Sequence, residues 1–583
     1  MAASTATSSL ARAAGAGRLW LVALGCAAAV LGPALGAGYV LHADQVFVPV
    51  QDLLPWMLGV GAGLPRAVPQ DAVVAVLSGP VPGWVLEKSA LLAALVLLAV
   101  GAGRLVRPRG TGAAVVTAVV AVWSAYVAER LLLGHWSLLL AVAALPWALE
   151  AARSVRAGAP RAGARWILWL GLASLTPSGG LLVLAATAPA LLVPGGRGPR
   201  VRRWILVGVG AALQLPWAVA ALLHPGAVAG ATGADVFAAR SEGPWGLLLT
   251  VLTTGGAWNA SAVPGSRTTW WGIAVGVLVL LVAAVGARGA IAVLGRSIAL
   301  PLAVLATLGL GWCLLGGWSA TAPAAEWAVA SLPGGGLLRD AQKWLAPWAL
   351  LVAMSAGVGA ARLARAVARR SGDRAAGAAL LAGLALLPVA ALPDLAWGAA
   401  GRLAAAAYPD DLTAVRAALE DTPPGDVVSL PWQTFRAFPW NDGGRVSLDP
   451  VPRAMPRTVL ASSSLPVSSG GEVVTVPGDD PRAAEVDAAL VAGEPLGPVL
   501  ARLGVGYAVV ATDVPGAGDE LPEGARALVR GDSFSLYALA LPAGPAPERP
   551  VAAPAAALAA YALVLLAAGL SLLRRRRSSP VRV

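Results

Sequence analysis

RLWLVALGCAAAVLGPALGAGYVLHADQVFVPVQDLLPW, residues 18–56, sets the terms for the whole chain. Its first part, 18–40, is an apolar run. Crossing the ~30 Å hydrocarbon core of a bilayer takes about 20 such residues. The second part places two carboxylates, Asp44 and Asp52, among Val46, Phe47, Leu53, Leu54 and Trp56. Beside them stands His42, one of only 3 histidines in the chain. The stretch reads as a membrane span followed by an acid-bearing loop.

The rest of the chain repeats the first theme. Of 583 residues, 57% are hydrophobic and 13% charged, against about 25% charged in ordinary soluble domains. The formal charge of +12 does not point to nucleic acid, because the arginines fall in short segments between apolar runs. Cytoplasmic loops of membrane proteins read this way. Cys26 and Cys313 lie inside apolar runs, so neither a disulfide framework nor a zinc spacing is present.

Apolar segments near 18–40, 88–106, 112–128, 131–149, 165–177, 179–194, 204–223, 271–288, 297–317, 343–362, 375–397 and 551–573 predict a polytopic α-helical membrane protein with about 12 transmembrane helices. The fifth and sixth are short. The SLTPSGG that joins them suits either a tight turn between tilted helices or a re-entrant hairpin, and they are counted here as two spans. Basic clusters at Arg104/Arg107/Arg109, Arg153/Arg156/Arg161/Arg165, Arg197/Arg200/Arg202/Arg203, Arg288/Arg296, Arg362/Arg365/Arg369/Arg370 and Arg574–Arg577 all fall on one side of such a topology. The positive-inside rule makes that side cytoplasmic, with both termini inside. The first segment is expected to be a retained anchor, although ALGAG offers a peptidase site. The expected organisation is a membrane domain over 1–397 with an extracytoplasmic loop at 41–87, an extracytoplasmic α/β domain over 398–550, and a final helix with a basic tail over 551–583.

Residues 398–550 differ in composition. DDLTAVRAALED, PRAAEVDAALVAG and PLGPVLARLG read as helices, the first with Leu412, Val415 and Leu419 at helical spacing. GDVVSLPW, VGYAVVATD and FSLYALAL read as strands. No phosphate loop or nucleophile elbow occurs there, so a lid or a carbohydrate-binding module is the expectation.

Four stretches carry chemistry. In the first, Asp44 or Asp52 suits a general base at the membrane surface. The two acids would share a face of a continuous helix, a register that Pro49 interrupts, and Asp44 equally suits a helix cap. YVAERLLLGHW, 126–136, sets Glu129, Arg130 and His135 at a turn between spans, where ionisable residues are functional candidates. An interfacial Glu129–Arg130 pair is the alternative. LPGGGLLRDAQKWLAPW, 332–348, carries Arg339, Asp340 and Lys343; the two cations are four residues apart, as on one helical face. They suit a phosphate, with a helix N-terminus adding to the affinity, or else anchoring to lipid head groups. SLPWQTFRAFPWNDGGRVSLDPVPRAMP, 429–456, is rich in aromatic and planar polar side chains of the kind that suit sugar rings.

The layout resembles the GT-C glycosyltransferases, nearest the large actinobacterial arabinofuranosyltransferases and the YfhO-type membrane glycosyltransferases. DQVFVPVQDLLPW at 44–56, GLLRDAQKWL at 336–345 and LARLGVGYAVVATD at 500–513 carry the resemblance. It implies an inverting transfer of a sugar from a polyprenyl-phosphate donor to a cell-envelope glycan or glycolipid outside the plasma membrane. It further implies Asp44 as base with Asp52 in reserve, Arg339 and Lys343 on the donor phosphate, and Glu129, Arg130, His135 and Asp340 lining the cavity. Some members use a divalent metal ion, which these residues neither demand nor exclude. A polytopic transporter or flippase, and a non-catalytic envelope-assembly protein, are the competing classes. A carrier would be expected to show mid-span charges or paired repeats, and the sequence shows few such charges and no repeat.

Overall fold

The structure is a computed structural model that describes residues 2–224, 234–332, 334–469, 472–540 and 551–574. The expected basic tail at 575–577 and the end of the expected outer domain at 541–550 lie outside the described residues.

Every apolar run forms helix. Among the described residues, nine helices are long and apolar enough to cross a membrane: Gly15–Leu35, Gly83–Arg109, Thr111–Leu132, Trp136–Arg156, Trp270–Leu294, Arg296–Gly317, Ala341–Ser371, Arg374–Ala391 and Ala552–Leu573. The helices Arg200–Ala212 and Leu215–Leu222, bent by 52° at their junction, bring the number to ten if the pair is counted as one span. This is a multi-pass membrane protein.

The expected count of 12 is not reached, because the fifth and sixth segments are the short helices Ala162–Ala173 and Pro177–Leu192. At 1.5 Å per residue they span about 18 Å and 24 Å, less than the ~30 Å core. Their tip meets the bend of the neighbouring pair, where the Gln214 side chain donates to Ser174 Oγ at 2.8 Å. The two pack against each other, Trp166 donating to Thr187 Oγ1 at 3.0 Å.

Lipid supplies no hydrophobic drive between helices, so small residues decide where they meet. A Cβ on Gly286 would fall 1.9 Å from the Ser355 carbonyl oxygen, and one on Gly359 would fall 1.9 Å from that of Val282. Only glycine lets the Trp270–Leu294 and Ala341–Ser371 helices approach so closely.

The two ends of the bundle differ chemically. At one end arginines cap the last carbonyls of neighbouring helices, as cations favour helix C-termini. Arg104 pairs with Glu150 at 2.9 Å. Arg109 donates to Gly289 O at 3.3 Å, Arg153 to Val293 O at 3.4 Å and Arg161 to Leu572 O at 3.0 Å. Arg203 reaches Leu191 O at 3.1 Å, and Arg365 reaches Arg109 O at 3.3 Å. The described arginine clusters thus gather on one face. The opposite end carries the loops and the C-terminal domain.

That domain is built on a five-stranded sheet in the order Val459–Leu460, Asp426–Leu430, Val505–Ala511, Phe534–Ala538, Arg526–Val529. The first three strands are parallel, and the last two run antiparallel to their neighbours. Every residue of Val505–Ala511 is buried, as a central parallel strand requires. Helices Asp410–Glu420, Pro481–Ala492 and Leu496–Arg502 form where their periodicity predicts, and Leu412, Val415 and Leu419 are buried.

The domain is joined to the first loop at several points. Tyr39 and Ala406 exchange backbone hydrogen bonds at 2.7 and 2.8 Å. Arg453 Nη2 lies 3.0 Å from Asp71 Oδ2. The Tyr408 hydroxyl donates to Phe47 O at 2.9 Å.

Candidate functional site

The site begins on the short helix Ala125–Leu132, which starts after a break at Trp123. Ser124 caps it, its Oγ accepting from Val127 N at 3.4 Å. Tyr126, Glu129 and Arg130 are spaced three and four apart and share a face. All three are buried. That face turns toward the segment 335–345, made of two 3₁₀ turns, Gly335–Leu338 and Ala341–Leu345, broken at Asp340. The single helical face expected for Arg339 and Lys343 is therefore not formed, and no α-helix N-terminus lies at them: the helix starts at Ala346. The break turns the Asp340 side chain inward, to Arg130.

Arg130 organises the centre. Its guanidinium grips Asp340 with two hydrogen bonds, at 2.6 and 2.9 Å, and also donates to Gln342 Oε1. The Gln342 amide donates in turn to Glu129 Oε2, which also accepts from Ala257 N at 3.0 Å. Tyr126 donates to Lys343 O at 3.0 Å. The buried arginine has carboxylate, amide and imidazole partners, which is how a desolvated charge is tolerated. Burial raises the pKa of Asp340, but Arg130 and then Lys343 overcome this and hold it well below the usual carboxylate range. Lys343 Nζ lies 3.6 Å from Asp340 Oδ2.

Arg130 also fixes a tautomer. A guanidinium nitrogen lies 2.9 Å from His135 Nδ1. Arginine can only donate, so Nδ1 accepts and the proton of neutral His135 sits on Nε2. Nε2 lies 3.3 Å from Asp44 Oδ2. Burial pushes the His135 pKa below the ordinary imidazole value; the hydrogen bond to Asp44 opposes this, and the charges of Arg130 and Lys343 add to it. Asp44 stands at the open end of this chain of contacts, its side chain 51% exposed.

The Asp44 backbone is tightly placed. Residues 36–54 form no α-helix, so Asp44 and Asp52 do not share a helical face and Asp44 caps nothing. Asp44 N donates to Leu133 O at 3.3 Å. Gly134, with φ +76, packs so close that a Cβ there would fall 2.2 Å from Gln45 N. The Gln45 amide donates to Glu87 Oε1 at 2.8 Å, and Val40 N donates to Glu87 Oε2 at 2.9 Å. From the C-terminal domain, the strand Val446–Leu448 pairs with Ala43: Ala43 N donates to Val446 O at 3.1 Å, and Leu448 N to Ala43 O at 2.8 Å. The Asn441 amide adds a bond to Leu41 O at 2.9 Å.

Several expectations change here. Asp52 is apart from this cluster and pairs with Arg416 of the C-terminal domain at 2.5 Å. Glu129 and Arg130 are not an interfacial pair: each is 0% exposed and has other partners. The 429–456 stretch does not offer its aromatic residues as a free sugar platform. Trp432 and Phe438 are buried, Trp440 packs at a tilt between Tyr408 and Phe438, and the hairpin of Phe435–Ala437 and Val446–Leu448 docks on the first loop.

The sequence reading missed Gln342, Glu87 and the buried pair of Glu242 with Arg267, 2.7 Å apart and flanking Glu129. The signal for the pair was present in principle, as ionisable residues beside a span. Arg267 also reaches Thr253 Oγ1 at 3.0 Å. The same side chain lines a small pocket of about 40 Å³ together with Val120, Trp123, Thr254, Val279 and Leu392.

A divalent ion does not fit this donor set. Among the described residues no three His, Cys, Asp or Glu converge as ligands. Asp44, His135 and Asp340 alternate with Arg130 and Lys343, whose charges oppose a cation.

No family model matches the chain, and no curated protein does. Solved structures do. The cryo-EM structure of the arabinofuranosyltransferase AftD from mycobacteria aligns with 91% of this chain at a TM-score of 0.57 and 15% identity. Two classes of an AftD point mutant align with 90% and 89% of it at TM-scores of 0.54 and 0.51, both at 16% identity. The chain has the AftD-like GT-C fold. It spans about two fifths of the AftD structures, 40% to 41% of their length. At this identity the likeness to AftD carries architecture, and the site residues rest on their own geometry.

Proposed function

We propose that this protein is a membrane glycosyltransferase that moves a sugar from a polyprenyl-phosphate donor to a cell-envelope glycan or glycolipid, with inversion. The observation that carries the reading is the Asp44–His135 contact. It gives an exposed carboxylate, oriented by a neutral imidazole, at the mouth of a buried cationic cluster on a GT-C frame.

The chemistry follows from the atoms. His135 Nε2–H occupies Asp44 Oδ2, leaving Oδ1 to take the acceptor hydroxyl proton. As that proton leaves, the acceptor oxygen bonds to the sugar C1 from the face opposite the phosphate. The C1–O bond breaks, and the lipid phosphate departs with the electron pair. Lys343 and Arg339 stabilise the charge that grows on it, as preorganised cations do. Glu129, Gln342 and Asp340 hold Arg130, and Arg130 holds His135. The site then faces the extracytoplasmic side, with both termini and the arginine-rich end in the cytoplasm.

The test uses purified protein with a polyprenyl-phosphate sugar and a soluble glycan acceptor, reading the product anomer by NMR. An inverted glycoside supports the reading. A retained anomer sinks the single-displacement mechanism, and absence of transfer together with unchanged envelope glycolipids in a deletion strain sinks the enzyme. Reporters after residues 110 and 160 should report cytoplasm and one at residue 480 the outside; the reverse would put the site on the wrong face.

A further inference from the structure

Glu87 is a buried carboxyl group that the chemistry above does not use. It lies one turn into the helix Gly83–Val106 and is 0% exposed. An ionisable side chain buried in a membrane span is a functional candidate. Both of its oxygens hold the segment that carries Asp44. Oε1 accepts from the Gln45 amide at 2.8 Å, and Oε2 accepts from Val40 N at 2.9 Å. Lys88, the next residue of the helix, donates from Nζ to Ala34 O. Two adjacent residues of one helix thus grip the stretch between the first span and Asp44 at three points.

Asp44 itself sits on a tight turn. His42 and Gln45 exchange backbone hydrogen bonds at 3.2 and 2.9 Å, which leaves Ala43 and Asp44 as the two residues at the tip. Ala43 has a φ of +48. Two-residue loops of this kind take a left-handed residue at that position, usually glycine, asparagine or aspartate. A residue with a Cβ opposes the conformation, so contacts from outside the turn have to hold it. The strand Val446–Leu448 holds Ala43. Glu87 holds Gln45, the residue that closes the turn. Gln45 is 2% exposed and points inward, whereas the neighbouring Asp44 side chain is 51% exposed. Fixing the first therefore sets the direction of the second.

We infer that Glu87 is a positioning residue for sugar transfer: it anchors the turn that aims Asp44 at the acceptor hydroxyl. This rests on Asp44 as the base and extends that reading to a residue acting through Gln45. Glu87 accepts at both oxygens, so it supplies two fixed contacts and no proton. Glutamine can supply the same two, its oxygen accepting from Val40 N and its amide donating to a turned Gln45 side chain. Leucine is of similar size and supplies neither.

The experiment measures kcat and donor KM for the detergent-solubilised full chain with a polyprenyl-phosphate sugar and a soluble glycan acceptor. Glu87→Leu should lower kcat by about 10- to 10²-fold, as a misplacement of about 1 Å does, and leave the donor KM unchanged. Gln45→Leu removes the same contact from the other side and should match it. Glu87→Gln should restore most of the lost rate. The double variant Asp44→Asn/Glu87→Leu should be no slower than Asp44→Asn alone, because no base remains to be aimed. A role in folding alone would instead make the two losses multiply and raise the donor KM. Multiplying losses overturn the inference, as do a normal kcat in both leucine variants and a Glu87→Gln protein as slow as Glu87→Leu. If Asp44→Asn is inactive while both leucine variants turn over normally, Asp44 stays the base and this inference alone falls. If the unsubstituted protein transfers no sugar, both fall. Each variant must give a monodisperse gel-filtration profile; where Glu87→Leu does not, Gln45→Leu, alone and combined with Asp44→Asn, decides in its place.

Discussion

His135 Nε2 sits 3.3 Å from Asp44 Oδ2, and the imidazole is held from behind by Arg130, 2.9 Å from Nδ1. Asp44→Asn keeps the shape and the contact but cannot accept a proton, so sugar transfer should fall by about 10²–10⁴-fold, with lipid-phosphate binding retained. His135→Gln should cost less, because it removes the orienting group and leaves the base. Full turnover by Asp44→Asn, measured with purified protein, would remove this carboxylate from the mechanism.

Gly134 separates two effects that are usually mixed. Gly134 at φ +76 and Gly372 at φ +68 both sit at positive φ, but an added Cβ meets the Asp44–Gln45 backbone at the first and nothing within 4 Å at the second. Alanine at either position carries the left-handed strain, about 1–2 kcal/mol. Only Gly134→Ala should also displace Asp44 and suppress transfer. Equal activity of the two variants would show that the loop absorbs the clash.

Asp52 belongs to the docking of the C-terminal domain, through Arg416 at 2.5 Å. Its side chain is 38% exposed, so the pair is worth at most ~1 kcal/mol. Asp52→Asn should lower the melting temperature slightly and leave transfer far above the level of Asp44→Asn. A loss of transfer as large as that of Asp44→Asn would make Asp52 the base.

Two histidines near the loop tie stability to pH. Burial, then Arg402 and Arg445, lower the His42 pKa from 6.5 to about 4, and His135 is lowered as well. The unfolded chain therefore binds more protons than the folded one in this window, and stability rises with pH. It should be complete above about pH 6.5 and fall as pH drops toward 4, where His42 charges in the folded state. Thermal midpoints in detergent should decline from pH 7 to pH 5, and His42→Gln should flatten the slope. A level profile in the unsubstituted protein would contradict the assignment.

The membrane architecture was legible because an apolar run is a local property. All 12 runs are helical, and the count differed where length decides, at 162–173 and 177–192, and where a helix is bent, at 200–222. The site was legible by residue type but not by pairing. Asp44, His135, Arg130 and Asp340 were all singled out, yet Arg130 and Asp340 are 210 positions apart, and no spacing rule reaches that far. Asp52 stood in reserve to Asp44 because its partner, Arg416, lies 364 positions away. Gln342 was invisible because an amide between charged neighbours carries no signal of its own. The 335–345 segment misled for a different reason: a four-residue spacing suggests a helix, and the inward turn at Asp340 breaks it.

The pairing of Ala43 with Val446–Leu448 also bears on the order in which the molecule is made. Asn441 is added 400 positions after Leu41, whose carbonyl it holds, and the strand beside Ala43 follows a few residues later. Asp44 thus leaves the ribosome long before the backbone that fixes it exists. A nascent or prematurely terminated chain would carry every cation and carboxylate of the cluster without the strand that aligns the loop. On the proposed reading, a chain that ends before residue 448 should hold its base unaligned.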